Sequence, residues 1–162
     1  MAQEVLSWIL AIPLLGFVTG LRSLTPMAVL CWFSYFGRMS VEGTWAAWTG
    51  KLWVAIAFTI LAIAEYIGDK HPKMPNRISP PFLAGRLILG GLMGAIVAIG
   101  LDGSSFEGIL LGVLGALGGA ILVYHIRKDM VRQMMCQDWQ IATVEDVFAV
   151  TCAVISMGII TA

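Results

Sequence analysis

The residues best placed to do chemistry lie in the run Gly20-Leu21-Arg22-Ser23-Leu24-Thr25-Pro26. Pro26 pre-sets the first turn of a following helix, and Thr25 is a natural cap for it. The unpaired backbone N–H groups of that turn, beside Arg22, would make a positive helix end suited to an anion. The plain alternative is an arginine that meets lipid phosphate and only fixes topology. Glu65 stands four residues before Asp69, so the two share a helical face; Arg86 follows within the next apolar stretch, and Glu145 adjoins Asp146. An ionisable group at membrane depth is expensive unless paired or facing water, which makes each a functional candidate. Arg22, Ser23, Thr25, Glu65, Asp69, Arg86, Glu145 and Asp146 are therefore the expected substrate-binding set. The structural counterpart is a plain ion pair near the interface, for example Glu65 with Arg86.

Other chemistries find little support. His71 and His125 have no companion at metal-ligand spacing, and Cys31, Cys136 and Cys152 form no C-x-x-C pair. The cysteines read as small apolar fillers. The chain contains no G-x-S-x-G elbow, no phosphate-cradling glycine loop and no H-E-x-x-H. We therefore expect no catalytic residues, no metal and no cofactor. With 10 basic and 10 acidic residues the net charge is zero, which leaves no footprint for nucleic acid.

These groups must be positioned by membrane-spanning helices. Of 162 residues, 59% are hydrophobic and only 12% charged, more apolar surface than a soluble domain can hide. A helix needs about 20 mostly apolar residues to cross the hydrocarbon core. Six stretches qualify or nearly qualify, at 5–20, 24–37, 46–67, 81–101, 106–125 and 143–161. The second is short, and is a full span or, instead of one, a re-entrant or steeply packed helix. The N-terminus reads as a retained first span rather than a removed signal peptide.

Basic residues in short loops set orientation. With the N-terminus outside, one face receives Arg22, Lys70, Lys73, Arg77, Arg86, Arg127, Lys128 and Arg132, and the other only Arg38 and Lys51. The richer face is expected in the cytoplasm. Trp8, Trp32, Trp45, Trp48 and Trp53 fall near the opposite ends of the first three stretches, as an interfacial aromatic belt would.

Glycine spacing dominates the second half: Gly90 and Gly94, Gly108 and Gly112, and Gly115 and Gly119 are each four apart, as are Gly16 and Gly20 in the first stretch. Such spacing lets helix backbones approach closely, within one chain or against another subunit. GLRSLTPMAVL at 20–30 also echoes GLDGSSFEGIL at 100–110. If that is a repeat, halves 1–68 and 80–162 hold three spans each and are inverted, an architecture common among transporters. The expected fold is thus an all-α polytopic membrane protein of about six transmembrane helices in a single domain, 1–162. So small a bundle encloses little alone, and we expect a homo-oligomer.

The strings GLRSLTPMAVLCW, EYIGDKHPKMPNR with the later AGR and GG, GALGGAILVYHIRK and EDVFAV resemble membrane proteins grouped as domain of unknown function 4126. The resemblance spans nearly the whole chain. Its motifs are Gly20-Leu21-Arg22 with Thr25 and Pro26, Glu65 with Asp69-Lys70 and Pro72, and Glu145-Asp146. It implies a bacterial cytoplasmic membrane and a compact domain, and brings no activity with it. Three functions are therefore weighed on the residues alone. The first is a small transporter or channel for an ion or small solute, an anion by the Arg22 argument. The second is a non-transporting module that binds membrane lipid or a partner protein. An enzyme that modifies a lipid head group comes third.

Overall fold

A computed structural model describes residues 2–68, 80–134 and 138–161. Among them it is all-helical: α1 (Ala2–Leu21), α2 (Thr25–Tyr35), a 3-10 helix (Trp45–Gly50), α3 (Leu52–Gly68), α4 (Pro80–Gly100), α5 (Ser105–Met134) and α6 (Asp138–Ile160). Three segments are long and apolar enough to cross a membrane, Pro80–Gly100, Ser105–Ile126 and Gln140–Ile160. Ile9–Leu21 and Leu52–Gly68 are shorter apolar stretches. The described residues thus form a helical fold suited to a membrane, and the three helices long enough to cross one all lie in the second half.

The second expected span departs most from expectation. α2 has 11 residues and rises about 16 Å, half of a hydrocarbon core of about 30 Å. It stops at Tyr35, and Gly37 then takes a φ of 68° that a side chain would resist. The irregular path that follows is buried at Met39, Val41, Ala46 and Thr49. Non-helical backbone at such depth is tolerated only inside protein. Thr44 meets that requirement locally: its hydroxyl donates to the Val41 carbonyl at 2.7 Å and accepts from the Ala46 amide at 3.2 Å, starting the 3-10 turn.

α2 and α3 form an antiparallel pair, held in register by Trp32 Nε1 donating to Thr59 Oγ1 at 3.0 Å and by contacts of Glu65 and Tyr66 at the other end. The centre of the molecule is different. α1 and α4 both pack on α5, and glycines stand where the backbones come closest. A Cβ built on Gly94 would overlap the Gly108 carbonyl, one on Gly112 the Gly90 carbonyl, one on Gly16 the Gly112 carbonyl and one on Gly119 the Phe17 carbonyl. The four-residue glycine spacing therefore serves seams within one chain, and these faces are not left over for a second copy.

The same pairings give direction. Gly16 lies by Gly112 and Gly20 by Ala116, so α1 and α5 run parallel; Gly94 lies by Gly108 and Gly90 by Gly112, so α4 runs against both. The C-terminus of α1, the N-terminus of α2, the C-terminus of α3 and the N-termini of α4 and α6 consequently meet at one end of the bundle. That end holds the site.

Candidate functional site

A continuous helix through residues 16–30 would bond the Ser23 amide to the Thr19 carbonyl and the Leu24 amide to the Gly20 carbonyl. The chain breaks this ladder. The Arg22 amide still reaches the Val18 carbonyl at 2.8 Å, and the Ala28 amide reaches Leu24 at 2.9 Å, but the bonds between are missing. Two charged side chains replace them. Glu65, from the last turns of α3, accepts from the Ser23 amide at 2.9 Å on one oxygen and from the Leu24 amide at 3.0 Å on the other. Arg86, from the second turn of α4, donates through Nη1 to the freed Gly20 carbonyl at 2.9 Å. Each sits at the helix end whose dipole favours its charge, the carboxylate at an N-terminus and the guanidinium at a C-terminus.

This arrangement corrects three expectations. The amides expected to receive an external anion hold the chain's own carboxylate. Glu65 and Arg86 meet backbone on opposite sides of the break, instead of serving simply as an ion pair. Thr25 does not cap α2 either: the cap position is Leu24, with no side-chain bond, and the Thr25 hydroxyl shares a 2.6 Å hydrogen bond with the Tyr66 hydroxyl. A residue from another helix does the capping because Thr25 is already inside the first turn.

Arg22 is wholly buried. Its Nη2 pairs with Asp146 of α6, and its guanidinium carbon lies 5.3 Å from the centre of the Tyr66 ring, within cation–π range. α6 begins at Asp138, so Glu145 and Asp146 lie about two turns inside the helix and do not open it. Arg86, Glu145 and Asp146 are all buried, and Glu65 is half-buried. Arg22, Ser23, Thr25, Glu65, Arg86, Glu145 and Asp146 are thus gathered at one end. Ser23 takes part through its amide. Asp69 lies outside the described residues, as do Lys70, His71, Lys73, Arg77 and Cys136. Among the described members are two guanidinium groups and three carboxylates, of which Arg22 and Asp146 pair directly.

Sequence reasoning missed Tyr66. It touches both Arg22 and Thr25 and so ties α3 to the break. Its only signal was its place beside Glu65, since these two neighbouring residues on α3 reach the three consecutive residues Ser23, Leu24 and Thr25. Sequence reasoning also missed a groove between α1, α5 and α6 that opens outward at the same end. It measures about 450 Å³, and its walls include Phe17, Leu21, Leu122, Ile126 and Phe148, with Glu145 in the wall nearest the cluster. At the opposite end a second groove lies beside Arg38, Phe33 and Phe36.

Residues 9–159 match the family described as Domain of unknown function (DUF4126), so the chain belongs to that family. No curated protein and no solved structure matches it.

Proposed function

We propose that this member of the DUF4126 family is a small transporter that moves an ion or small solute across a bacterial inner membrane, with the charged break between α1 and α2 as its polar step. One observation carries the reading: charged side chains from α1, α3, α4 and α6 converge on an interruption of the helical path. Interrupted helices whose ends meet charge near a pathway are a recurrent transporter device. Counted as a crossing, α2 with segment 36–51 brings the spans to six, and halves 1–68 and 80–162 then have opposite directions in the membrane. Orientation follows the basic bias, with the charged end in the cytoplasm and the N-terminus outside. A homo-oligomer is the working unit in this reading, joined through faces other than the glycine seams.

Reconstitution into sealed vesicles tests it. Flux of at least one ion or metabolite is expected from the wild type and is expected to vanish in Glu65→Gln, which keeps shape and removes the charge. A folded, reconstituted wild type that passes none of a broad panel of inorganic ions and small metabolites would reject transport.

A second reading is a non-transporting module that binds lipid or a partner protein. The backbone contact among α1, α4 and α5 favours it, because those helices leave no space between them for a solute. It predicts no flux and a defined complex, or retained lipid, after gentle extraction.

A further inference from the structure

The groove between α1, α5 and α6 is almost wholly apolar, since Glu145 in its wall is buried and belongs to the charged break. Leu122 of α5 and Val144 and Phe148 of α6 line it and are exposed, so it opens to the side of the bundle. Its volume of about 450 Å³ falls within the ~300–1,000 Å³ of small-molecule sites. Its level in the membrane narrows the occupant. The lining reaches Ile126 on α5 and Gln140 on α6, and these are the last and first residues of the apolar segments Ser105–Ile126 and Gln140–Ile160. One end of the groove therefore coincides with the edge of the hydrocarbon core on both helices. Trp139, which precedes Gln140 in α6, is of the type that favours that edge. α5 continues past it to Met134, about 12 Å further at the helical rise. This extension, RKDMVRQM at 127–134, carries Arg127, Lys128 and Arg132 against Asp129 alone, and the first two follow Ile126 directly.

We propose that this groove holds one anionic phospholipid, with an acyl chain between Leu122 and Phe148 and the phosphate at the level of Arg127 and Lys128. An apolar slot that ends at a basic stretch, at head-group depth, complements both parts of such a molecule. A neutral apolar ligand would use only the slot, and a free anion only the basic stretch. Basic residues next to a membrane attract anionic lipid by about fivefold each, so charge complementarity selects the anionic head over a zwitterionic one. The inference goes beyond the transport reading and stands whether or not a solute moves. Lipid retained in this groove fits a transporter and a non-transporting module alike, and flux decides between those two.

The test is native mass spectrometry of the full chain in mild detergent, titrated with phosphatidylglycerol or with phosphatidylcholine of the same acyl chains. The first phosphatidylglycerol is expected to bind at least about tenfold more tightly than phosphatidylcholine. Arg127→Gln with Lys128→Gln is expected to erase that preference and to leave phosphatidylcholine binding unchanged. Leu122→Trp fills the groove and keeps both basic residues; it is expected to weaken phosphatidylglycerol at least about tenfold with an unchanged unfolding temperature. Val144→Trp fills the groove from α6 and is expected to do the same, which keeps the test decisive should Leu122→Trp lower the unfolding temperature. Glycerol phosphate, a head group without chains, is expected not to displace the lipid. Equal affinity for the two lipids would overturn the proposal, as would phosphatidylglycerol binding indifferent to the paired glutamines or to a folded tryptophan variant. So would displacement by glycerol phosphate, or a second copy of the chain covering the groove and excluding lipid. Lipid held without flux rejects transport alone, and flux from a protein without lipid selectivity rejects the groove alone.

Discussion

Two regions of this molecule are held together in opposite ways. In the α1/α4/α5 seam the backbones touch, and the contact exists because side chains are missing at Gly16, Gly90, Gly94, Gly108 and Gly112. At the break between α1 and α2 the backbone ladder is interrupted, and the junction exists because Glu65, Arg86, Asp146 and Tyr66 arrive from other helices. The seam depends on dispersion and shape, which act only at contact distance. The junction depends on charge, which is strong where water is excluded and punishing when a partner is lost. The seam should therefore fail when an atom is added, and the junction when a charge is removed.

The largest expected effect is at the junction. Arg22→Met leaves Asp146 buried without its guanidinium partner and should lower stability by about 3–5 kcal/mol. Unfolding of the purified protein in mild detergent, followed by circular dichroism, measures it. The double variant Arg22→Met with Asp146→Leu sharpens the point, because removing both charges should recover most of the loss. If the double variant is as unstable as the single one, charge pairing is not what holds α6 to the α1 end.

Next in size is the seam. Gly94→Ala drives a methyl group against the Gly108 carbonyl, and should cost about 1–3 kcal/mol as the helices are forced apart. Gly118→Ala is its control, since nothing lies within 4 Å of the added carbon; it should change stability by no more than about 0.5 kcal/mol. Equal effects of the two would show that the seam does not depend on close approach.

Glu65→Gln should cost less, about 1–2 kcal/mol, because the amide oxygen still accepts one of the two backbone bonds and only the charge and the second acceptor are lost. The smallest effect is expected from Thr25→Val, about 1 kcal/mol, for the single hydrogen bond to Tyr66. The same unfolding assay ranks them, and Thr25→Val exceeding Glu65→Gln would reverse the roles assigned to α3.

Much of this was readable in the residue order. The helical membrane class follows from apolar stretches alone, and the seam from glycines four apart, because both depend on periodicities that a helix imposes locally. The site was legible as a set of members and illegible as a set of partners. Arg22, Glu65, Arg86 and Glu145-Asp146 stood out as charges in apolar surroundings. That Glu65 would reach the Ser23 and Leu24 amides, 42 and 41 residues away, depends on the register of α3 against α2. The start of α6 at Asp138 and not near 143 also escaped notice, because the helix extends through polar residues beyond its apolar segment.

Residue order alone requires that this chain forms apolar helices, that eight of its ten basic residues share one side of the expected topology, and that the chain departs from a regular helix near Pro26. These are local consequences of hydrophobicity, charge and a ring that lacks an N–H. Packing in three dimensions makes the second apolar stretch a helix of 11 residues, closes the glycine seams inside one chain, and brings Glu65 as the anion at the start of α2. Those outcomes turn on which helix lies beside which and in what register, and side-chain contacts between distant segments leave no period in the sequence.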